Sequence, residues 1–186
     1  MIKRIAVFAC LMAVLFVACG GKPKPVEMPV VPAFQAVVET IDSMYVASLA
    51  KIGPYSGFGT AIGELMTWIG KNKVVPSGMP FGVYYDDPTK VNPDSTKFEV
   101  CIPVPAATKG DKTVKVVDLE PAQVAVAIHV GPYDKVGETY GKLMGWITAN
   151  KYVVNGAPRE YYLSDPAKVP AESLQTKIAI PVTTLE

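Results

Sequence analysis

The chain is poor in most of the side chains that do chemistry. Among 186 residues it has one histidine, His129, and three cysteines, Cys10, Cys19 and Cys101. A single imidazole with no cysteine near it offers neither a metal ligand set nor a Ser-His-Asp arrangement, so no metal and no cofactor is expected. Charge is scarce as well, with 19% charged residues and a formal net charge of +1. Lys3 and Arg4 lie in a segment expected to be removed, which leaves 16 basic residues against 17 acidic ones. No basic run remains, and nucleic acid is not an expected partner. Glycines fall at turns before proline, as at Gly53 and Gly131, and form no phosphate-cradling loop. What is abundant is apolar: 49% hydrophobic residues place the chain among globular proteins, with enough length for one ordinary domain.

The first residues read as an export signal. Lys3 and Arg4 form a positive start, and 5–17 is an apolar run, short of the roughly 20 residues a mature span needs. It ends Phe16-Val17-Ala18-Cys19-Gly20-Gly21, which resembles a bacterial lipobox whose cysteine is acylated, although Phe16 stands where leucine is usual. Cys19 is therefore the expected lipidation site. Bulky Phe16 argues against an ordinary signal-peptidase site. The expected place is the bacterial cell envelope, on the periplasmic side of the outer membrane in a Gram-negative host. Pro23, Pro25, Pro29 and Pro32 make the next stretch an extended tether, at about 3.1 Å per residue where polyproline-like. The domains expected are a signal peptide at 1–18, a tether at 19–33 and a folded domain at 34–186.

That domain is written twice, 78 positions apart. Gly53-Pro54-Tyr55 returns as Gly131-Pro132-Tyr133, Trp68-Ile69 as Trp146-Ile147, and Ile102-Pro103-Val104 as Ile180-Pro181-Val182. Between 53 and 104 about 23 of 52 pairs are identical, far more than composition supplies, so the halves 34–104 and 112–182 should pack about a pseudo-twofold axis with a cleft at their join. Strands are expected at 34–41, 45–52, 80–85 and 97–102, and again at 114–119, 124–130, 158–163 and 175–180. Each copy also holds a helix ending near Asn72 or Asn150. Phe58, Ile62, Leu65, Met66 and Ile69 mark the first apolar stripe, and Val136, Tyr140, Leu143, Met144 and Ile147 mark the second. The fold class is α+β: mainly antiparallel sheet with both helices on one face. Cys101 matches Ala179 and reads as an inert, buried strand thiol. His129 matches Lys51 and reads as exposed.

The Gly-Pro-Tyr turn, the helix ending in Trp-Ile, the run Glu160-Tyr161-Tyr162-Leu163-Ser164-Asp165-Pro166 and the closing Ile178-Ala179-Ile180-Pro181-Val182 together resemble the GyrI-like small-molecule-binding domain. That family includes gyrase-inhibitor proteins and effector domains of AraC-type and MerR-type regulators. The resemblance covers nearly all of 34–182 and implies a duplicated βαββ-type unit with a pocket for bulky, often cationic, aromatic molecules. Some members hydrolyse strained electrophiles. The family's pocket glutamate stands two positions before a strand tyrosine, which falls here on Glu160 before Tyr162. With 1–33 read as signal and tether, no DNA-binding domain accompanies it.

Gly82 is the counterpart of Glu160, so a carboxylate in one half makes a symmetric scaffold asymmetric. Facing a cleft, Glu160 would select lipophilic cations or, with a raised pKa, act as a general base; facing outward, it would pair with a neighbour such as Arg159. Tyr133, Tyr162 and Trp146 offer flat walls, with Tyr84 and Trp68 as counterparts in the first half, though large aromatics at such places also serve as plain core. The reading preferred is a lipid-anchored protein that binds a lipophilic or aromatic small molecule. The alternatives are a hydrolase with Glu160 catalytic and an envelope protein-interaction module.

Overall fold

The computed structural model describes residues 34–185. The signal, Cys19 and the tether lie outside the described residues. The elements run β1 (Ala36–Ile41), β2 (Met44–Ile52), α1 (Phe58–Lys71), β3 (Phe81–Tyr84), β4 (Lys97–Pro103), β5 (Lys115–Leu119), β6 (Ala122–Val130), α2 (Val136–Ala149), β7 (Tyr152–Val154), β8 (Arg159–Tyr162) and β9 (Gln175–Thr184). The fold is α+β with two helices and one curled antiparallel sheet. Each helix follows a Gly-Pro turn in which Gly53 and Gly131 share φ 138°, a backbone conformation that side chains disfavour. Each ends at an asparagine cap, Asn72 and Asn150, whose amide returns to the tryptophan carbonyl four residues back.

Strand order is β1-β6-β9-β8-β3-β4-β2-β5, with β7 added to the far end of β9. Read outward from the β8–β3 pair, the order is the same in both directions, as a twofold axis requires. The first strand of each copy is exchanged: β1 pairs with β6 of the second copy, and β5 pairs with β2 of the first. The sequence halves are thus not the packing halves.

This exchange forces the sheet to curl. Six strand spacings separate β1 from β2, roughly 29 Å on a flat sheet. Only Asp42 and Ser43 connect them, and two residues span less than about 11 Å. Glu120 and Pro121 impose the same closure between β5 and β6. The curl buries Val46, Phe81, Cys101, Val124 and Ala179 on the face that carries no helix.

On the other face the helices cover two apolar clusters. Leu65 and Ile69 pack on Leu49, Val100 and Ile102, while Leu143 and Ile147 pack on Ala127, Ile178 and Ile180. Two positions assigned to the helical stripes are not core, because Met66 and Met144 are 47% and 44% exposed. They sit one residue beyond each buried leucine, on the shoulder of the helix. Cys101 is buried as expected, and burial pushes its thiol up to about 12. Among the described residues no helix is long and apolar enough to cross a membrane.

Candidate functional site

One row of the sheet crosses the molecule beneath both helices. Register places Leu49 beside Val100, Val100 beside Gly82, Gly82 beside Glu160, Glu160 beside Ile178 and Ile178 beside Ala127. The row is symmetric in position and not in chemistry. Gly82 and Glu160 meet at its centre, on the pseudo-twofold axis, so the carboxylate lies at the join of the halves and faces the helices.

Glu160 is buried, and both oxygens accept hydrogen bonds. Tyr140, on the second turn of α2, donates to Oε1 at 2.9 Å, and Tyr162 donates to Oε2 at 3.1 Å. Tyr84 and Tyr162, counterparts across the axis, share a short hydroxyl contact. Burial pushes the Glu160 carboxyl above its ordinary value, with the Tyr140 and Tyr162 hydroxyls and nearby His129 pulling the other way. Burial next to this carboxylate also raises the Tyr84, Tyr140 and Tyr162 phenols, so all three stay protonated donors at neutral pH. Glu160 has no salt-bridge partner among the described residues.

Aromatic rings fill the space over the carboxylate. Phe58, at the start of α1, lies 4.9 Å from Tyr162 and 6.2 Å from Tyr84 between ring centroids. Tyr133 meets Tyr162 edge-on at 5.5 Å and is 39% exposed, which makes it the rim of the cluster. Gly82 is what lets the rings close. A Cβ there would fall 2.6 Å from a Tyr84 ring carbon and 2.9 Å from one of Phe58. The expected cleft at the join therefore takes the form of an aromatic-covered buried carboxylate.

Of the residues singled out in the sequence, Glu160, Tyr162, Tyr84 and Tyr133 come together. The two tryptophans do not join them. Trp146 stacks on Tyr152 of β7, and Trp68 Nε1 donates to Asp111 at 2.6 Å, both on the last turns of their helices. The outward pairing of Glu160 with Arg159 is also ruled out, since adjacent strand residues point to opposite faces.

His129 corrects another expectation. It is buried, not exposed; Nδ1 meets Thr139 Oγ1 at 2.9 Å and Nε2 meets the Pro132 carbonyl at 3.1 Å. Lys51 at the matching position instead reaches a half-exposed Glu64 at 2.6 Å. Tyr140, Phe58 and His129 are the site residues that sequence reasoning missed. Tyr140 had one visible signal: it replaces Ile62 on an otherwise apolar stripe. Among the described residues no group of three or more His, Cys, Asp or Glu could hold a metal ion.

A duplicated α+β domain with one buried, hydroxyl-held carboxylate between its halves has the form of a small-molecule-binding domain. The sequence profile of the GyrI-like small molecule binding domain matches residues 35–183, and the chain belongs to that family. It is 26% identical over 130 residues to the probable transcriptional regulator YgiV of Escherichia coli K12, covering 66% of this chain and 79% of that protein. The EcmrR C-terminal domain superposes with a TM-score of 0.74 at 24% identity, covering 82% of this chain and 99% of that one. SAV2435 bound to tetraphenylphosphonium is more distant, with a TM-score of 0.51 at 13% identity over 82% and 94% of the two chains.

Proposed function

We propose that this chain is an exported, lipid-anchored binding protein for bulky aromatic or lipophilic cationic compounds, held at Glu160 between the two halves. One observation carries the reading: a buried carboxylate with hydroxyl donors, no cationic partner and aromatic walls. Such a group lacks the charge compensation that a lipophilic cation would bring, and Tyr84, Tyr133, Tyr162 and Phe58 supply faces on which that cation can stack. Entry requires the rings over Glu160 to part, with exposed Tyr133 nearest the way in. Tetraphenylphosphonium, the compound in the SAV2435 structure, is the natural first probe because its charge is independent of pH. Nucleic acid has no part in this reading. The anchor rests on the sequence ending at Cys19; Cys19→Ser should block lipid attachment, and processing of that variant to a soluble exported form would remove the anchor from the proposal.

Glu160→Gln keeps the shape and removes the charge. It should weaken tetraphenylphosphonium, which has no hydrogen-bond donor, by about 2 kcal/mol, the attraction of two unit charges about 8 Å apart at an effective dielectric of about 20, and a neutral aromatic of similar size by much less. The raised Glu160 pKa adds a pH signature. Wild-type affinity for the cation should climb as pH rises through that value and Glu160 ionises, whereas Glu160→Gln should give a flat profile. A second reading, hydrolysis of an electrophilic compound, is favoured by the same raised proton affinity, which suits Glu160 to accept a proton from water. There Glu160→Gln would spare substrate binding and abolish turnover. A variant that changes neither affinity nor rate would sink both readings.

A further inference from the structure

Strand β8 carries Glu160 and Tyr162 toward the helices, so Arg159 and Tyr161 point into the curl of the sheet. There Arg159 borders a groove of about 380 Å³, walled by Val46, Val83, Val117 and Leu119. Its guanidinium has no counter-ion: it is absent from the four ion pairs of the described residues, and its Nη1 is shut from solvent with no hydrogen-bond partner. Two carboxylates border the same groove and neither neutralises it. Glu99 is held by the Ser48 and Tyr85 hydroxyls, and Glu120 stands exposed at the corner between β5 and β6. The fold itself does not call for a cation here, because the first copy places a fully buried Phe81 at the matching position.

A half-buried guanidinium without an acceptor is costly, and its planar fork fits a carboxylate at two points. We propose that this concave groove is a second binding site, for a small apolar molecule bearing a carboxylate. The acid group rests on Arg159, whose side chain turns to bring the enclosed Nη1 into the groove, and the apolar body lies along Val83, Val117 and Leu119. The groove is of a size that holds a bicyclic aromatic acid. Its chemistry is opposite to that at Glu160, and the two sites stand back to back on one strand.

The test is calorimetric titration of the full-length chain with 1-naphthoate, its neutral amide and tetraphenylphosphonium. One equivalent of 1-naphthoate should bind, at least about tenfold tighter than the amide, and Arg159→Gln should lose about the same factor, the low end for hydrogen bonds to a charged group. Glu160→Gln should leave naphthoate affinity unchanged, and tetraphenylphosphonium should not displace it. Val117→Trp fills the groove from an exposed edge-strand position without touching the arginine, and should abolish binding even if Arg159→Gln fails to fold. The proposal is overturned by any of four results. These are no saturable binding to wild type, full affinity in a folded Arg159→Gln, full affinity in Val117→Trp, or loss of naphthoate on Glu160→Gln, which would move the ligand to the helix side of the sheet. Failure of cation binding at Glu160 would leave these outcomes untouched.

Discussion

The two copies share a backbone and divide the work. Where the first has Lys51, Ala61, Ile62, Gly82 and Phe98, the second has His129, Thr139, Tyr140, Glu160 and Thr176. The first set, apart from a lysine that leaves for the surface, extends the apolar core: Phe98 packs with Tyr55, Phe58 and Tyr84. The second set is polar and largely buried: His129 bonds Thr139, Tyr140 bonds Glu160, and the Thr176 Oγ1 has no partner. Duplication allows this split. One half can hold costly buried polar groups because its twin, joined to it through a continuous sheet, has fewer to support: Ser48 and Thr96, against His129, Thr139, Glu160 and Thr176.

The comparison can be broken first at what the halves share. Leu65 and Leu143 are both fully buried at matching positions. Leu65→Ala and Leu143→Ala should each cost about 2–5 kcal/mol in chemical denaturation, and because the sheet is continuous both should lower one common transition. Two separate transitions would show that the halves fold independently.

Gly82→Ala tests the close approach at the axis. The added methyl meets Tyr84 and Phe58 below contact distance, so a loss of about 1–3 kcal/mol is expected, together with displaced rings over Glu160. Unchanged stability would mean that the aromatic cover is loosely held.

A smaller contrast lies where strand meets helix. Thr139→Val strips the hydroxyl from His129 in a buried place and should cost about 1–2 kcal/mol. Glu64→Gln, which removes the partner of Lys51 at a half-exposed pair, should cost less than about 1 kcal/mol and fade in salt. Equal losses would undo the claim that the second copy is the polar one.

The least change is one of slope. Burial raises the Glu160 pKa, so between the unfolded and folded values the folded chain holds more protons. The stability that neutral Glu160 contributes is complete below the unfolded pKa and lost as pH rises through the folded one. Glu160→Gln should remove that fall from the pH profile of the melting temperature. A fall that persists in the variant must come from another group.

Much of this was legible because repetition amplifies weak signals. The helices, eight strands and the Gly82/Glu160 contrast all follow from aligning two copies. The same symmetry misled elsewhere. Strand β7 exists in the second copy alone: its Val154 pairs with Val182 on an extended β9, but the matching Pro76 has no N–H to offer. His129 was read through Lys51, although the partner that lets it stay buried, Thr139, is Ala61 in the other copy. Strand exchange left no local mark at all. Asp42-Ser43 and Glu120-Pro121 look like hairpin links, and only long-range pairing shows that they are corners.

That exchange bears on how the protein is made. During synthesis β1 emerges first, yet its only ladder partner, β6, is some eighty residues away, after α1 and all the other strands of the first copy. The nascent first copy must wait with one edge strand missing, while β1 presents Ala36, Val38 and Ile41 to whatever it meets. The first half closes only when β5, the opening strand of the second copy, has been made, and β1 has no partner until β6 follows, so assembly depends on closing a very long loop and should be slow beside a protein of two successive domains. Cutting the chain in the 105–113 connection would give two fragments, each carrying the strand that the other needs. Neither should be stable alone, and mixing them should restore the fold.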